Sequence, residues 1–366
     1  MSRFPDFDYA ARIAAIRGLM AETGCGALML SVGADLPYFT GYEAMPLERL
    51  TMLVVPVDGD AVLVVPQLEV PRVERRDAFD IRAWDEGGDP VAIVAELASS
   101  TETVALGDTT WSTFVLGLQA AMPGTRFEDA SLLTRELRMR KEPEEIRFLR
   151  QAAEATDRVV SRLESMRFSG RSEADLATAI RSMTVEEGHD LATFDIVASG
   201  PNSASPHHEP TEREIESGDI VVVDFGGRHR GYCSDTTRTF SVGEPTPEMA
   251  QAYDVLEAAQ AAGRAAIAPG VTATSVDEAT RLVIEEAGYG ERFIHRTGHG
   301  IGLEGHEHPY IVEGNQLPLE AGMAFSIEPG IYVPGEWGMR LEDIVVCGDS
   351  GVDELNRSER HLRIVE

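Results

Sequence analysis

Cysteine is scarce in this chain. The three residues Cys25, Cys233 and Cys347 stand far apart and share no paired-thiol spacing. An odd number of distant cysteines argues against a disulfide framework and indicates a reducing compartment, so we expect a cytoplasmic protein. No apolar run approaches the roughly 18 residues of a membrane span, and the opening MSRFPDFDYAAR has no apolar signal core. The sequence therefore predicts neither a membrane helix nor an export signal.

Basic residues are also few. The chain has 32 Lys and Arg against 62 Asp and Glu, which leaves a formal net charge of −30. Nucleic acids and anionic membranes both require basic surface, so neither is expected as a partner. The acidic surplus is typical of a solvated surface. With 366 residues, the chain is longer than the roughly 250–300 residues that a single core supports, so two domains are expected.

The first part of the chain has the alternating pattern of a small α/β domain. An amphipathic helix is predicted over residues 8–22, and TMLVVPVDGDAVLVVP predicts a β-hairpin that turns at Asp58-Gly59. The composition becomes charged in LRMRKEPEE, and Pro143 is well suited to the first turn of a new helix. We therefore expect an N-terminal domain over residues 1–140 and a second domain over residues 141–366.

The second part contains a faint internal repeat, in which residues 168–190 resemble residues 268–290. Each copy lies between two glycines and has a Ser/Thr-x-x-Asp start that is typical of a helix N-cap. A chance match is the alternative, because such caps are common. A true duplication predicts two similar halves that enclose a site between them. The matched positions are Gly170, Ser172, Asp175 and Gly188 in the first copy, and Gly270, Thr274, Asp277 and Gly288 in the second.

Five potential metal ligands are distributed over the last third of the chain. They are Asp224 in VVVDFGG, Asp235 in YCSDTTRTF, His299 in RTGHGIG, Glu328 in FSIEPGIY and Glu342 in MRLEDIV. Four carboxylates and one imidazole are too many anions for one divalent ion, but they suit two ions that share bridging carboxylates. A metal pair about 3.5–4 Å apart can hold a hydroxide and polarise a carbonyl group. This set therefore predicts a two-metal hydrolase.

The two aspartates are expected to lie together on neighbouring strands. An apolar strand runs directly into Asp224, and a short glycine-containing turn separates it from the strand near Asp235. The alternative is that one aspartate caps the turn while the other is solvated. Cys233, two residues before Asp235, is a possible nucleophile, but a buried strand position is favoured because the ligands already supply one.

The histidines are unevenly placed. Six of the nine fall in two tight groups, and glycines that allow close approach of the backbone interleave the second group. A lone histidine is usually structural, whereas two clusters favour a site. The groups are His207 with His208, and His295, His299, His306 and His308.

Arg340 stands two residues before Glu342, which places both on the same strand face. It is a candidate to hold a substrate carboxylate or to orient a metal-bound acid. An ordinary salt bridge between the two residues is the alternative.

The ordered set Asp, Asp, His, Glu, Glu in these contexts resembles the pita-bread metallopeptidases, namely methionine aminopeptidase, aminopeptidase P and prolidase. HRTGHGIGLEGHEHPYI, FSIEPGIY and the Arg-Leu-Glu-Asp run are most similar to the proline-specific branch. The resemblance covers residues from about 140 to 350 strongly. It implies an α/β (α+β) fold with a small creatinase-like N-terminal domain and a pita-bread catalytic domain built on a pseudo-two-fold repeat.

The resemblance also implies roles for the metal ligands. Asp224 would chelate one ion, His299 and Glu328 the other, and Asp235 and Glu342 would bridge the two. Hard oxygen ligands favour manganese, with cobalt or zinc as alternatives.

Further roles follow for groups near the metals. Glu328 would accept the proton of the attacking water. His207 and His306 would assist as catalytic groups. His207 is chosen over His208 because it stands 17 residues before Asp224, as the corresponding histidine does in the family. His295 and Arg340 would face the substrate.

The expected reaction is cleavage of Xaa-Pro peptide bonds, most simply by an Xaa-Pro dipeptidase. The alternatives are an aminopeptidase P that acts on longer peptides, a small-molecule hydrolase or lyase on the same fold, and a binding scaffold without catalysis. A homodimer is expected by resemblance, with the loop Leu36–Glu48 and its rings Tyr38, Phe39 and Tyr42 as the candidate contact. Ordinary packing of these rings within the chain is the alternative.

Overall fold

The computed structural model describes residues 4–99 and 101–366. Contacts within the chain divide it into two units, residues 1–138 and residues 139–366. The first unit alternates strands and helices, as the sequence predicts. Its elements are α1 (Tyr9–Thr23), β1 (Ala27–Leu30), α2 (Asp35–Thr40), β2 (Met52–Pro56), β3 (Val62–Pro66), β4 (Asp80–Trp84), α3 (Pro90–Leu97), β5 (Thr103–Leu106), α4 (Ser112–Ala121), β6 (Arg126–Asp129) and α5 (Ser131–Arg138), with a 3₁₀ turn at Val70–Arg72.

A six-stranded mixed sheet in the order β4-β3-β2-β1-β5-β6 forms the centre of the first unit. The predicted hairpin is present as the antiparallel pair β2–β3, and Gly59 in its turn has a φ of 109°. Such a φ is accessible to glycine at little cost. Alternate residues such as Met29 and Val54 pack with Val94 of α3 and Leu118 of α4 in one apolar cluster. Because side chains alternate between the two faces of a strand, these residues share the face of the sheet that lies beneath the two helices.

The aromatic rings expected at a dimer contact lie inside the first unit. Tyr38, Phe39 and Tyr42 are all buried, and the exposed apolar side chains of the same segment are Met45 and Leu47. A ring that packs in the core of its own unit cannot present surface to a second chain. The assignment of these three rings to a subunit contact is therefore wrong.

The second unit consists of two long helix pairs, each followed by strands. Both long helices begin with proline in the first turn, where a missing N–H costs nothing. The elements are α6 (Pro143–Leu163), α7 (Glu173–Glu186), β7 (Leu191–Ser199), β8 (Ile220–His229), β9 (Tyr232–Cys233), β10 (Thr236–Val242), α8 (Pro247–Ala265), α9 (Ala273–Glu286), β11 (Gly298–Gly300), β12 (Glu307–Ile311), β13 (Ala324–Ile327), β14 (Gly330–Val333), β15 (Trp337–Arg340), β16 (Asp343–Gly348), β17 (Gly351–Glu354) and β18 (Arg363–Val365), with 3₁₀ turns at Gly200–Ala204 and Gly290–Arg292.

The internal repeat is visible in matching backbone hydrogen bonds. The N–H of Gly170 donates to Ile215, and the N–H of Gly270 donates to Leu319 in the same way. Both glycines have φ between 80° and 90°, at 81° and 85°. The two halves of the second unit therefore share one local design, and the predicted fold class is confirmed.

One predicted helix cap is displaced. Ser172 caps α7 by accepting the N–H of Asp175, as expected. In α9 the cap is Thr272, which accepts the N–H of Ser275. Thr274 lies inside the helix, and its hydroxyl accepts the N–H of Gly314 instead. The prediction of Thr274 as the cap is wrong by two residues, because two threonines compete for the same helix start.

The strands of the second unit form two main sheets, β18-β10-β8-β7 and β12-β11-β13-β16-β17, with β14 and β15 as a separate pair. Strand β9 pairs with β8. The first sheet carries the two aspartates of the predicted site, while His299 and Glu328 belong to the second. Among the described residues, no helix is long and apolar enough to cross a membrane.

Candidate metal centre

The two aspartates lie on one antiparallel hairpin. Asp224 is in β8 opposite Thr237 of β10, and Asp235 directly precedes β10. Both side chains are buried. The run of apolar residues that forms β8 thus places a carboxylate in the protein interior, where it requires a partner of opposite charge.

The other three predicted ligands come from the second half of the unit. The Nε2 atom of His299, on β11, lies 3.1 Å from a carboxylate oxygen of Glu328, which directly follows β13. The same nitrogen lies 3.7 Å from Asp235 and 4.0 Å from Glu342. Glu342 sits between β15 and β16. All five predicted ligands are therefore brought together.

The ligand atoms fall into overlapping groups in which they lie within 4.8 Å of one another. One group is Asp224, Asp235 and Glu342, and a second is His299, Glu328 and Glu342. Asp235 also groups with His299 and His306. Glu342 is common to the first two groups, which is the placement that a bridging ligand of a metal pair requires, while Asp235 and His299 are each shared with the third.

Two buried carboxylate oxygens support the fit of a cation. Oδ1 of Asp224 and Oε1 of Glu342 have no hydrogen-bond partner among the described residues. A buried polar atom without a partner is costly and rare in native proteins. Oxygen and imidazole donors of this kind fit divalent ions.

The carboxylates of the cluster repel one another in the absence of a cation. Burial, followed by the charges of Glu342 and Asp224, raises the pKa of Asp235 well above its ordinary value. Burial, followed by the charges of Glu328 and Asp224, likewise raises the pKa of Glu342. A divalent ion between these carboxylates would reverse both effects, because it favours the ionised forms.

Arg340 contacts Asp224 rather than Glu342. Its Nη2 lies 2.6 Å from Asp224, its Nη1 donates to the hydroxyl of Tyr332 at 2.8 Å, and its Nε donates to Thr237 at 3.1 Å. Every nitrogen of this buried guanidinium therefore has a partner within the protein. The alternative of a simple salt bridge between Arg340 and Glu342 is wrong.

His295 lies on the same side of the site. Its Nε2 is 2.9 Å from the hydroxyl of Tyr332, and its Nδ1 is 2.8 Å from the carbonyl of Arg296. Burial lowers the pKa of His295. Tyr332 thus links His295 to Arg340 in one hydrogen-bonded row beside the ligands.

The two remaining site histidines are exposed where the ligands are buried. His207 and His306 line a cavity of about 540 Å³ that also contains all five ligands. The rings of His306 and His299 are 3.8 Å apart, and burial together with the charge of His299 lowers the pKa of His306 to about 4. His208 is directed elsewhere, with its Nε2 2.9 Å from Glu173.

Three residues that support the site were missed at the sequence level. Thr237 donates to Glu342 at 2.8 Å, and Ser326 donates to Glu328 at 3.0 Å. Tyr332, on β14, holds no ligand itself but links His295 to Arg340. All three lie inside the motifs quoted above, and Thr237 and Ser326 each stand two residues from a ligand, a spacing that could have identified them.

Cys233 has no part in this chemistry. Its thiol is buried, its pKa is raised to about 11 chiefly by burial, and its Sγ is 3.6 Å from the carbonyl of Leu303. A thiol in that state is a poor nucleophile near neutral pH. The interpretation of Cys233 as a buried strand residue is confirmed.

The comparisons with known proteins agree with this geometry. Residues 147–349 match the description of metallopeptidase family M24, and residues 12–140 match the Creatinase/Prolidase N-terminal domain. A probable dipeptidase PepE of Mycobacterium tuberculosis is 46% identical over 99% of this chain and 98% of its own length. A Xaa-Pro dipeptidase of Lactobacillus helveticus is 37% identical over 90% of this chain and 92% of its own. The crystal structure of a recombinant prolidase from Thermococcus sibiricus is similar with a TM-score of 0.94 and 36% identity, covering 99% of this chain and all of the other.

The repeated halves and the buried acidic cluster are typical of a metal-dependent hydrolase. The family match and the two relatives identify which family of metal-dependent hydrolases this is. The chain belongs to metallopeptidase family M24. Its resemblance to pita-bread metallopeptidases is confirmed, and members of this family use a pair of divalent ions.

Proposed function

We propose that this chain is an Xaa-Pro dipeptidase that uses two divalent metal ions. The observation that carries the proposal is the convergence of five ligands in one cavity, with two of their buried oxygens lacking a hydrogen-bond partner among the described residues. The names of the relatives, a dipeptidase, a Xaa-Pro dipeptidase and a prolidase, support the substrate class.

The five ligands would hold the metal pair. Asp224 would bind one ion, His299 and Glu328 the other, and Asp235 and Glu342 both; Glu342 is common to the two groups, and Asp235 lies 3.7 Å from His299. The ions, when bound, supply an activated water and polarise the carbonyl of the scissile bond. Mostly oxygen donors favour manganese, with cobalt or zinc as alternatives.

Glu328 is the proposed proton acceptor. The hydroxyl of Ser326 donates to one oxygen of Glu328 at 3.0 Å and fixes its orientation. Burial raises the pKa of Glu328, but His299 and other neighbouring positive groups outweigh it and lower the pKa to about 2. Glu328 is therefore ionised near neutral pH, as an acceptor must be.

His207 and His306 are proposed as the groups that meet the substrate from the cavity. Both side chains are exposed to it. A neutral imidazole at this position can donate a hydrogen bond to a developing oxyanion, and its protonated form can give a proton to a leaving nitrogen.

His295 is proposed to lie on the substrate side of the cavity. Of the two roles that its sequence position indicated for Arg340, we propose the orientation of a metal-bound acid. Its Nε, Nη1 and Nη2 bond to Thr237, Tyr332 and Asp224, so the guanidinium would hold the ligand Asp224 in place.

The arrangement of the whole protein is also a proposal. Residues 141–366 would carry catalysis, and residues 1–140 would contribute to a homodimer through a surface other than the rings of Tyr38, Phe39 and Tyr42. The three free and buried cysteines support a reducing, cytoplasmic setting.

A comparison of three peptides tests the proposal. Manganese-loaded protein is assayed with Ala-Pro, Ala-Pro-Ala and Ala-Ala. We expect kcat/KM for Ala-Pro to exceed that for Ala-Pro-Ala by at least about tenfold, which corresponds to about 1.4 kcal/mol in the transition state. The reverse preference would assign the activity to an aminopeptidase P. Equal cleavage of Ala-Ala would remove proline specificity.

A further inference from the structure

Lys141 is the only lysine in the 366 residues of the chain. Its side chain is 1% exposed, and its Nζ lies 2.6 Å from a carboxylate oxygen of Glu307, whose side chain is 7% exposed. The two residues are 166 positions apart. The lysine side chain and its charge are thus buried in an ion pair that contains none of the five metal ligands.

The backbone of Lys141 is itself anchored. Its N–H donates to the carbonyl of Gly322 at 2.9 Å, and the neighbouring Arg140 pairs with Met323 in a β-bridge. Arg140 also forms two 2.7 Å contacts with Glu320. The ammonium group therefore projects from a fixed point of the second unit.

Glu307 ends the segment that carries His306. Residues 301–306 join β11 to β12, and Glu307 is the first residue of β12. At the other end of the segment, the carbonyl of Gly302 accepts the N–H of Cys233 at 2.8 Å. A Cβ at Gly302 would lie 2.5 Å from Glu307 and 2.9 Å from Lys141, so a larger residue there would displace the ion pair.

We propose that Lys141 and Glu307 are positioning residues that hold the segment 301–306, and with it His306, beside the metal ligand His299. The ion pair fixes one end of the segment and Cys233 the other. His306, one residue from Glu307, remains exposed to the cavity with its ring 3.8 Å from that of His299. This inference rests on the catalytic role proposed above for His306.

Substitutions in the buried ion pair between Lys141 and Glu307 differ in the charge that they leave behind. Removing one partner leaves the other charge buried and uncompensated, whereas replacing both by apolar side chains of similar volume is often neutral for stability. Lys141→Met therefore removes the ammonium group from Glu307, whose carboxylate also accepts the N–H of Glu304. The pair Lys141→Met with Glu307→Met removes the same link without an unpaired charge.

A double-mutant cycle with His306→Ala tests the proposal. We expect Lys141→Met to lower kcat for Ala-Pro by about 10–100-fold with manganese content unchanged. In a His306→Ala background the same change should have no further effect, because residues that act through one another are not additive. Where Lys141→Met does not fold, the apolar pair takes its place in the cycle. Arg140→Met, which breaks the neighbouring exposed contact, is the matched control and should stay within about twofold of wild type.

The outcomes separate the proposals. Effects of Lys141→Met and His306→Ala that multiply would overturn the positioning role, since loss of general stability would produce that result. If the wild type does not cleave Ala-Pro, or if His306→Ala cleaves it as fast as the wild type does, the proposed function fails, and carbon-13 spectra of labelled imidazoles decide the inference. The His306 signal should then shift in the variant, while that of the buried His189 stays; an unmoved His306 would contradict it.

Discussion

Replacing Glu342 by glutamine should stabilise the metal-free protein while removing its response to metal. The carboxylate atoms of Asp224, Asp235 and Glu342 lie within 4.8 Å of one another in the interior. Two like charges at 4.8 Å repel by about 3.5 kcal/mol at an effective dielectric constant of about 20. Weakening of the hydrogen bond that Thr237 donates to this charged group offsets about 1.5 kcal/mol, which leaves a net gain of about 2 kcal/mol.

The gain should depend on pH in a defined direction. Asp235 and Glu342 have pKa values raised above those of the unfolded chain, so the folded metal-free protein holds more protons. Their contribution to stability is full below the ordinary carboxyl pKa and is lost as pH rises through the raised values. The advantage of Glu342→Gln should therefore be larger at about pH 8 than at about pH 5.

Thermal unfolding of chelator-treated protein is the assay. A gain of about 2 kcal/mol corresponds to a rise of about 4–8 °C in Tm for a domain of this size. Manganese should raise the Tm of wild type and leave that of Glu342→Gln unchanged. The exposed Glu313→Gln is the control and should change stability by no more than about 0.5 kcal/mol. A metal-free Glu342→Gln that melts at or below wild type at about pH 8 would refute the reasoning.

Three further predictions concern single side chains. The variants His207→Ala and His306→Ala should bind manganese normally yet lose about 10²–10⁴-fold in kcat/KM for Ala-Pro, whereas the loss in His208→Ala should be much smaller. A larger loss in His208→Ala than in His207→Ala would show that the wrong member of the pair was chosen. The thiol of Cys233 should not react with a thiol reagent at about pH 8 until the protein is unfolded, because burial raises its pKa, and rapid labelling of the native protein would contradict this. A protease specific for lysine should leave the native chain intact at the buried Lys141 and cut Glu307→Gln faster; prompt cleavage of wild type would show that the site is open.

Much of the site could be predicted because its ligands lie in strongly patterned local sequence. An apolar strand that ends in a carboxylate, as at Asp224, signals a buried charge and hence a cation. The helix starts were also predictable, apart from the choice between Thr272 and Thr274, where only tertiary contacts decide which hydroxyl is free to cap.

The partners of these groups were not predictable, because they depend on distant residues. The bond of Arg340 to Asp224 spans 116 positions, and the bond of Lys141 to Glu307 spans 166. Local periodicity gives the face on which a side chain lies but not the group opposite it. For the same reason the sequence did not decide between a subunit contact and ordinary packing for Tyr38 and its neighbours, which the fold buries.

Calorimetric titration of manganese into the metal-free protein tests the central claim most directly. The wild-type chain should bind two ions, one at each of the two ligand groups that share Glu342. Asp235→Asn should lose both ions because this carboxylate is proposed to bridge them, whereas His299→Ala should retain one. A wild-type chain that binds no manganese, or an Asp235→Asn variant that binds it as wild type does, would contradict the account.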